Sequence, residues 1–443
     1  MIGEIKLFPV PRVKMNRNGK SPRRRVVVSG LGAVSPNGIG AEAFWHATRD
    51  GMSGIGAISL FDSTPLPCRI AAEVSGFRAE DYLSAKELRR VGRAVPLAIA
   101  ATKEALHSAR VDADVMSLED KRSWGVILGS GGGTPDFVEE QYRLYFSDQL
   151  HKTSAYNISS STIGTLSSEI SIYFDLKGPS HVISTGCTSS TDAIGYALNL
   201  IRFGLADHLI TGGVDATITP AIMHGFSIMR VVSASHNEEP RRASRPFDRR
   251  RDGFVLGEGA WILVLEEMEH ALQRGATIFA ELLGYGSTCD AYHTVRLDPS
   301  GEEPARAMSL ALEDAGIAKD EVGYLAPHGT STVLNDKTET RAIKLCFGRR
   351  AYDIPMSSIK SMIGHPQGAS GAAGVAATIL ALRHGFLPPT INYEENDPEC
   401  DLNYLPNQGL AKDVEIALCN CIAFGSKNSA LVLARGNSLH ERL

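Results

Sequence analysis

Short, unbroken runs of β-branched and aliphatic residues recur along this chain, and each empties into a loop rich in Gly, Ser or Thr. Arg25-Val-Val-Val-Ser-Gly30, Trp124-Gly-Val-Ile-Leu-Gly129, His181-Val-Ile-Ser-Thr185 and His208-Leu-Ile-Thr-Gly-Gly213 form one such series. Runs without polar alternation predict strands covered on both faces, with function carried on the loops at their ends. The fold class is therefore α/β. After a charged, helix-like segment from Glu266 to Arg274 the same pattern restarts. Its second series is Ile278–Gly284, Val322–Ala326, Pro355–Lys360, Val414–Cys419 and Ala430–Ala434. Two successive strand-rich series suggest an internal duplication with a boundary near residue 275. The expected division is a loose basic extension over 1–24, a first half over 25–275 and a second half over 276–443.

Two segments switch to helical periodicity. Thr188 to Phe203 carries Ala193, Ile194, Tyr196, Ala197, Leu198, Leu200 and Ile201, apolar on most faces and so predicted to be buried. Gly371 to Arg383 is a similar helix of small residues. Cys187 stands just ahead of the first of these, and His365 stands in the loop before the second.

Composition narrows the class. With 443 residues, 43% hydrophobic and 21% charged, the chain has ample core for a large globular protein. A net charge of −5 and a pI near 6.2 provide no global field for nucleic acid or an anionic membrane. The seven cysteines are odd in number and lack C-x-x-C spacing, which indicates neither a disulfide framework nor a zinc site and fits a reducing cytoplasm. The first 24 residues lack the apolar core of a secretory signal. The run Ala372 to Leu382 is far shorter than the roughly 20 residues of a membrane span, so no membrane insertion is expected.

The candidate chemistry lies in three loops: Ser184-Thr-Gly-Cys-Thr-Ser-Ser190, Ala326-Pro-His-Gly-Thr-Ser-Thr332 and Lys360-Ser-Met-Ile-Gly-His-Pro-Gln-Gly368. A lone buried cysteine is usually a core residue and a lone loop histidine usually a structural one. A cysteine in one half and two histidines in matching loops of the other are harder to dismiss. One sulfur nucleophile plus two imidazoles suits carbon–carbon bond formation between two thioesters. The positive end of the helix after Cys187 is expected to favour its thiolate. Thr330 and Thr332 suit either a ligand amide or a turn cap. Ala423-Phe-Gly-Ser426 offers a backbone N–H and a ring that could close an entrance. The basic run Arg241 to Asp252 reads as a solvated or internally paired loop. Gly30-Leu-Gly-Ala-Val-Ser35 lacks the third glycine of a dinucleotide fingerprint, so a nicotinamide site is rejected.

These loops resemble a known family. Val26–Gly32, Thr185-Gly-Cys-Thr188, Ser244-Arg-Pro-Phe-Asp248, Arg251–Gly259, Asp290-Ala-Tyr-His293, His328-Gly-Thr-Ser-Thr332, Ser358–His365 and Phe424-Gly425 are together similar to the elongating β-ketoacyl-acyl-carrier-protein synthases, in order from about residue 25 to 436. The resemblance implies a thiolase fold of two duplicated halves in five α-β-α-β-α layers, an obligate dimer and a ping-pong, decarboxylative Claisen condensation. It implies that Cys187 takes the acyl chain from the phosphopantetheine of acyl carrier protein. His328 and His365 would promote malonyl decarboxylation, with Lys360 supporting their loops. The N–H groups of Cys187 and Phe424 would form the oxyanion hole, Phe424 also acting as a gate. Thr330 and Thr332 would line the pantetheine tunnel, Gly132 would enlarge the acyl pocket, and Arg230 would lie at the carrier-protein docking rim. No bound cofactor or metal is implied.

Within the family, Ser184–Ser189, Asp215-Ala-Thr-Ile-Thr-Pro220 and Asp397–Pro406 look closer to the α ketosynthases of type II polyketide systems than to fatty-acid synthase II. The partner would then be a chain-length-factor homologue, whereas the fatty-acid alternative would be a homodimer. A non-catalytic chain-length factor is the third reading, opposed by Cys187 and both histidines. The chain departs from the pattern at Gly374, where a glutamate near the lysine is usual, and at Ser426-Lys427-Asn428 beside the gate. Cys419 and Cys421 invite comparison with a thiolase base, but His328-Gly-Thr-Ser-Thr332 and Lys360 are ketosynthase features. Starter unit and chain length are not encoded in any motif.

Overall fold

In the computed structural model, which describes residues 23–436, apolar runs become strands buried on both sides. The first half contributes β1 (Val26–Ser35), β2 (Trp124–Gly129), β3 (Ser180–Ile183), β4 (His208–Asp215) and β5 (Gly259–Glu267). The second contributes β6 (Ala280–Cys289), β7 (Tyr324–Ala326), β8 (Ile416–Ala423) and β9 (Lys427–Arg435). All ten residues of β1 are buried, as are all of β2 and β4. The side-chain alternation of a strand explains why so little is polar. Val126, Leu128, Ile262 and Val264 face one core, while Ile127, Leu209, Leu263 and Leu265 face another.

The strands run in the order β7-β8-β9-β6-β1-β5-β4-β2-β3, with the short strand Gly38–Ile39 hairpinned on β1. From each outer end, parallel pairs (β3 with β2, β2 with β4; β7 with β8) give way to antiparallel ones (β4-β5-β1; β8-β9-β6). The halves thus repeat one topology. Among the described residues their sheets join edge to edge through Val26–Val28 on Ala280–Leu282.

Helices fill the layers. On the outer face of the first half lie α1 (Ala94–Ser108) and α2 (Thr165–Tyr173), packing Leu97, Ala98, Ile99, Leu166 and Ile170 on the sheet. Between the halves lie α3 (Ser189–Arg202) and, after the exposed α4 (Pro220–Met229), α7 (Ser370–His384). On the far face lie α5 (Glu302–Ala315) and α6 (Val333–Phe347). The result is the five-layered α-β-α-β-α arrangement. Burying each large aliphatic in these cores contributes about 1.5–3 kcal/mol.

Several expectations change. Gly30 and Gly32 sit inside β1, where a Cβ would meet the backbone of α1 at 2.2 and 2.0 Å, so they serve close helix packing. Pro355–Lys360 is not a strand. It makes one parallel bridge, Met356 to Leu325, and turns into the short helix Lys360–Ile363, in the place β3 holds in the first half. The strand β5 went unread, although its run Ala260–Leu265 is apolar throughout. The expected extension 1–24 falls almost wholly outside the described residues; Arg23 and Arg24 pair with Asp314 and Asp207. Among the described residues no helix is long and apolar enough to cross a membrane. The basic run is paired, but largely with a distant segment rather than within itself: Arg251 meets Asp397 at 2.6 Å and Arg249 meets Glu395 at 3.1 Å.

Candidate active site

Equivalent segments of the two halves meet at the N-termini of α3 and α7. Small residues allow it: a Cβ on Gly371 would lie 2.0 Å from Thr191 Oγ1, and Ala372 N–H donates to Ser190 Oγ at 2.8 Å. Cys187, one residue before the Thr188 cap of α3, and His365, in the turn ahead of α7, are thereby brought together across the seam. Cys187 Sγ lies 3.2 Å from His365 Nε2. The backbone N–H groups of Phe424 and of Cys187 itself also point at the sulfur. His328 enters from the loop after β7, its ring edge-on to that of His365 at 5.2 Å between centroids.

The electrostatics correct one expectation. Burial pushes the Cys187 thiol up to about 11, against the pull of the Lys360 ammonium and the Phe424 N–H. The buried sulfur thus favours the thiol, the reverse of what its place ahead of a helix suggests. Burial, with Lys360 beside them, also holds both histidines well below the ordinary imidazole range, so they are neutral.

Lys360 is buried among these groups, and its carbonyl accepts from Ser244 Oγ at 2.7 Å. The glutamate missing at Gly374 has a counterpart elsewhere. Glu339 and Asp336 of α6 both act on Lys360 from buried positions. Glu339 accepts the backbone N–H groups of His328 at 2.6 Å and Gly329 at 2.7 Å and the Asn420 side-chain amide at 2.6 Å. Burial raises its carboxyl to about 7 against these bonds. Asp336 accepts from Thr330 N–H at 3.0 Å. Neither carboxylate was read from the sequence; both lie within eleven residues of His328, on the helix its loop feeds.

Thr330 and Thr332 place their hydroxyls 2.9 Å apart and line, with Cys187, both histidines, Phe254 and Phe424, a cavity of about 30 Å³. That is room for a water or two. Phe424 begins the three-residue turn between β8 and β9, in which Ser426 takes a left-handed φ of 64° and donates its hydroxyl to the His293 carbonyl at 3.0 Å. Gly132 does not line this cavity. It is exposed, donates its N–H to Asp215 at 2.9 Å, and faces Thr217, whose methyl would stand 2.3 Å from a Cβ. Arg230, exposed at the left-handed C-terminus of α4, also lies outside it. Ser370, 2.8 Å from His365 Nδ1, and Cys421, 3.3 Å from His328 Nδ1, complete the site; only Cys421 had drawn notice, as a thiolase-like feature.

Cys187, His328 and His365 bring ligand atoms within 4.8 Å of one another, a donor set zinc could accept. So do His208, Glu266 and His270, but there Glu266 already receives Arg274 Nε at 2.8 Å, a guanidinium that opposes a cation.

The beta-ketoacyl synthase N-terminal domain model matches residues 23–271 and the C-terminal domain model residues 279–394. The chain is 41% identical to the 3-oxoacyl-[acyl-carrier-protein] synthase 2 of Synechocystis, over 93% of this chain and 98% of the relative. It is 40% identical to the ketoacyl synthase alpha subunit of the tetracenomycin polyketide synthase of Streptomyces glaucescens, over 93% and 97%. Among solved structures, the ishigamide ketosynthase/chain length factor superposes with a TM-score of 0.86 at 34% identity, over 93% of this chain and 99% of that one.

Proposed function

The chain belongs to the beta-ketoacyl synthase family, and from that premise we propose that it is the ketosynthase subunit of a type II polyketide system. It would condense a Cys-bound acyl chain with malonyl-carrier protein. The observation that carries this reading is the Cys187 sulfur 3.2 Å from His365 Nε2, with the Phe424 N–H aimed at the same atom and His328 alongside.

The neutral groups prescribe the order of proton movement. As Cys187 attacks the acyl thioester, its proton passes to His365 Nε2 and on to the departing pantetheine thiolate. Malonyl-carrier then enters past Thr330 and Thr332. Its C–CO₂ bond breaks, CO₂ leaves, and the electron pair collects as an enolate whose oxygen accepts from Nε2–H of His328 and, once His365 has moved its remaining proton from Nδ1 to Nε2, from His365 as well. The enolate carbon attacks the acyl carbonyl on Cys187, whose oxygen turns to the N–H groups of Cys187 and Phe424. Collapse releases the 3-oxoacyl carrier and the Cys187 thiolate, which takes up a proton from solvent water. Lys360 keeps the surrounding potential positive while this charge develops.

The reading needs no bound cofactor; the substrates travel on the phosphopantetheine of acyl carrier protein, in the cytoplasm. A cavity of about 30 Å³ requires the Phe424 turn to move before an acyl chain fits. We keep the division near residue 275, the first half bringing the nucleophile and the second the histidines. We also keep Arg230 for carrier docking and Gly132 as an acyl-pocket position, where the Thr217 methyl already takes part of the freed space. The partner is a chain-length-factor homologue, with this chain in the catalytic role. The Synechocystis relative supports a second reading, fatty-acid elongation by a homodimer.

Native mass measurement of the chain purified alone and with a co-expressed homologue lacking the cysteine separates the two. A stable heterodimer that builds poly-β-keto chains from malonyl-carrier supports the first. A homodimer that extends a saturated acyl chain once per malonyl unit supports the second.

A further inference from the structure

Each histidine of the site is held from behind by a different atom. His365 Nδ1 faces Ser370 Oγ at 2.8 Å, whereas His328 Nδ1 faces Cys421 Sγ at 3.3 Å. Cys421 lies on β8, three residues before Phe424, and is 2% exposed. Its sulfur also stands 3.1 Å from the Cys187 carbonyl oxygen. One S–H therefore has two acceptors in reach, one on each side of the seam.

A neutral imidazole carries a single proton, and the partner of one nitrogen decides where it sits. No carboxylate takes this part for His328, since Glu339 spends its oxygens on the backbone N–H groups of His328 and Gly329 and on Asn420. We propose that Cys421 is a positioning residue that fixes the tautomer of His328, donating its S–H to Nδ1 so that Nε2 carries the proton toward the substrate. This rests on the ketosynthase reading above.

The chemistry favours that direction. A thiol is a weak donor and a weak acceptor, so neither bond is strong, and S–H on Nδ1 gives up the Cys187 carbonyl at 3.1 Å; what separates the tautomers is that Nδ1–H on sulfur would turn a lone pair on Nε2 toward an enolate oxygen. Burial keeps the Cys421 thiol protonated and able to donate. The contrast with Ser370 fits the two tasks. His365 must accept the proton of Cys187 in one half-reaction and donate in the other, and a hydroxyl serves both tautomers. His328 only donates, and a thiol holds it to one.

The test uses the full chain, wild type, Cys421→Ala and Cys421→Ser, with malonyl-carrier protein as probe. The expected result for Cys421→Ala is a roughly tenfold loss of kcat for decarboxylation with little change in KM, a loss several times larger than that in the rate of Cys187 acylation by intact mass. Cys421→Ser, whose hydroxyl can donate to Nδ1, should restore the rate to within about threefold of wild type. Nitrogen NMR of ¹⁵N-histidine-labelled protein should show His328 protonated at Nε2 in wild type and a mixture of tautomers in Cys421→Ala, with Cys421→Ser between the two because a hydroxyl serves either tautomer. Wild-type decarboxylation by Cys421→Ala, or Nδ1 protonation in the wild type, would overturn the proposal. So would acylation and decarboxylation falling together in both variants, which would assign Cys421 to packing. If the wild type itself does not decarboxylate malonyl-carrier, the ketosynthase reading fails, and the nitrogen spectra still decide the tautomer.

Discussion

The helices α3 and α7 hold equivalent places in the two halves, yet one presents a thiol and the other an imidazole. Cys187 stands one residue before its helix cap, while His365 stands five residues before Ser370, and its longer side chain reaches back to the sulfur. Both are wholly buried, and burial moves them in opposite directions, the thiol up to about 11 and the imidazole well down. The pair therefore rests uncharged. A helix N-terminus contributes within its first turn, but taking a charge out of water outweighs it. On the proposed reading, Cys187 waits as a thiol and becomes an anion only as a thioester arrives to take the electrons.

Removing one side of the comparison should have the largest effect. Cys187→Ala should lose acyl transfer and condensation by about 10⁴-fold or more, while malonyl-carrier decarboxylation persists on the other half's histidines. Intact mass after incubation with acyl-carrier thioester reads the first and CO₂ release the second. His365→Ala and His328→Ala should each slow decarboxylation by about 10²–10³-fold, and the double variant by less than the product, because both act on one developing charge. The resting charge state has its own signature. Iodoacetamide alkylation of Cys187 in the folded protein should rise about tenfold per pH unit from about pH 7 to about pH 9, since thiolate is the reactive form and its fraction is still climbing toward a value near 11. In the denatured chain the same rate should level off above about pH 8.5.

Two glycines sharpen the comparison at the level of packing. In α3, a Cβ on Gly195 would meet the Tyr285 ring at 2.3 Å, and that ring is anchored by its hydroxyl on Asp192 at 2.7 Å. Gly195→Ala should cost about 1–3 kcal/mol in urea unfolding. In α7, a Cβ on Gly374 meets nothing within 4 Å. Gly374→Ala should raise stability by about 0.5–1 kcal/mol in the same assay, with activity intact.

What could be read from the sequence were the features that repeat locally. Apolar runs gave β2 and β4 nearly to the residue, and periodicity gave α3 and α7. The loops holding Cys187, His328 and His365 stood out because small residues surround them. Pro355–Lys360 misled because Met356 and Ile359 are too few to make a strand; the segment is spent on a single bridge before a helix begins. The direction of the Cys187 shift and the parts played by Glu339, Ser370 and Cys421 depend on what the far half packs against them. No local pattern carries that information.

The seam has a further consequence, in time rather than in space. Cys187 and His365 are 178 residues apart along the chain, and everything that joins the halves, from the three-residue edge of sheet to the contact of α3 with α7 and the Arg251–Asp397 pair, waits for the second half. At about 5–20 residues per second of synthesis, the thiol waits roughly 10–35 s before its imidazole exists. Closing so long a loop belongs to the slow end of folding, after local helices and hairpins have formed. Through that interval the thiol has neither its buried setting nor its base, so a chain interrupted after the first half carries the nucleophile without the chemistry.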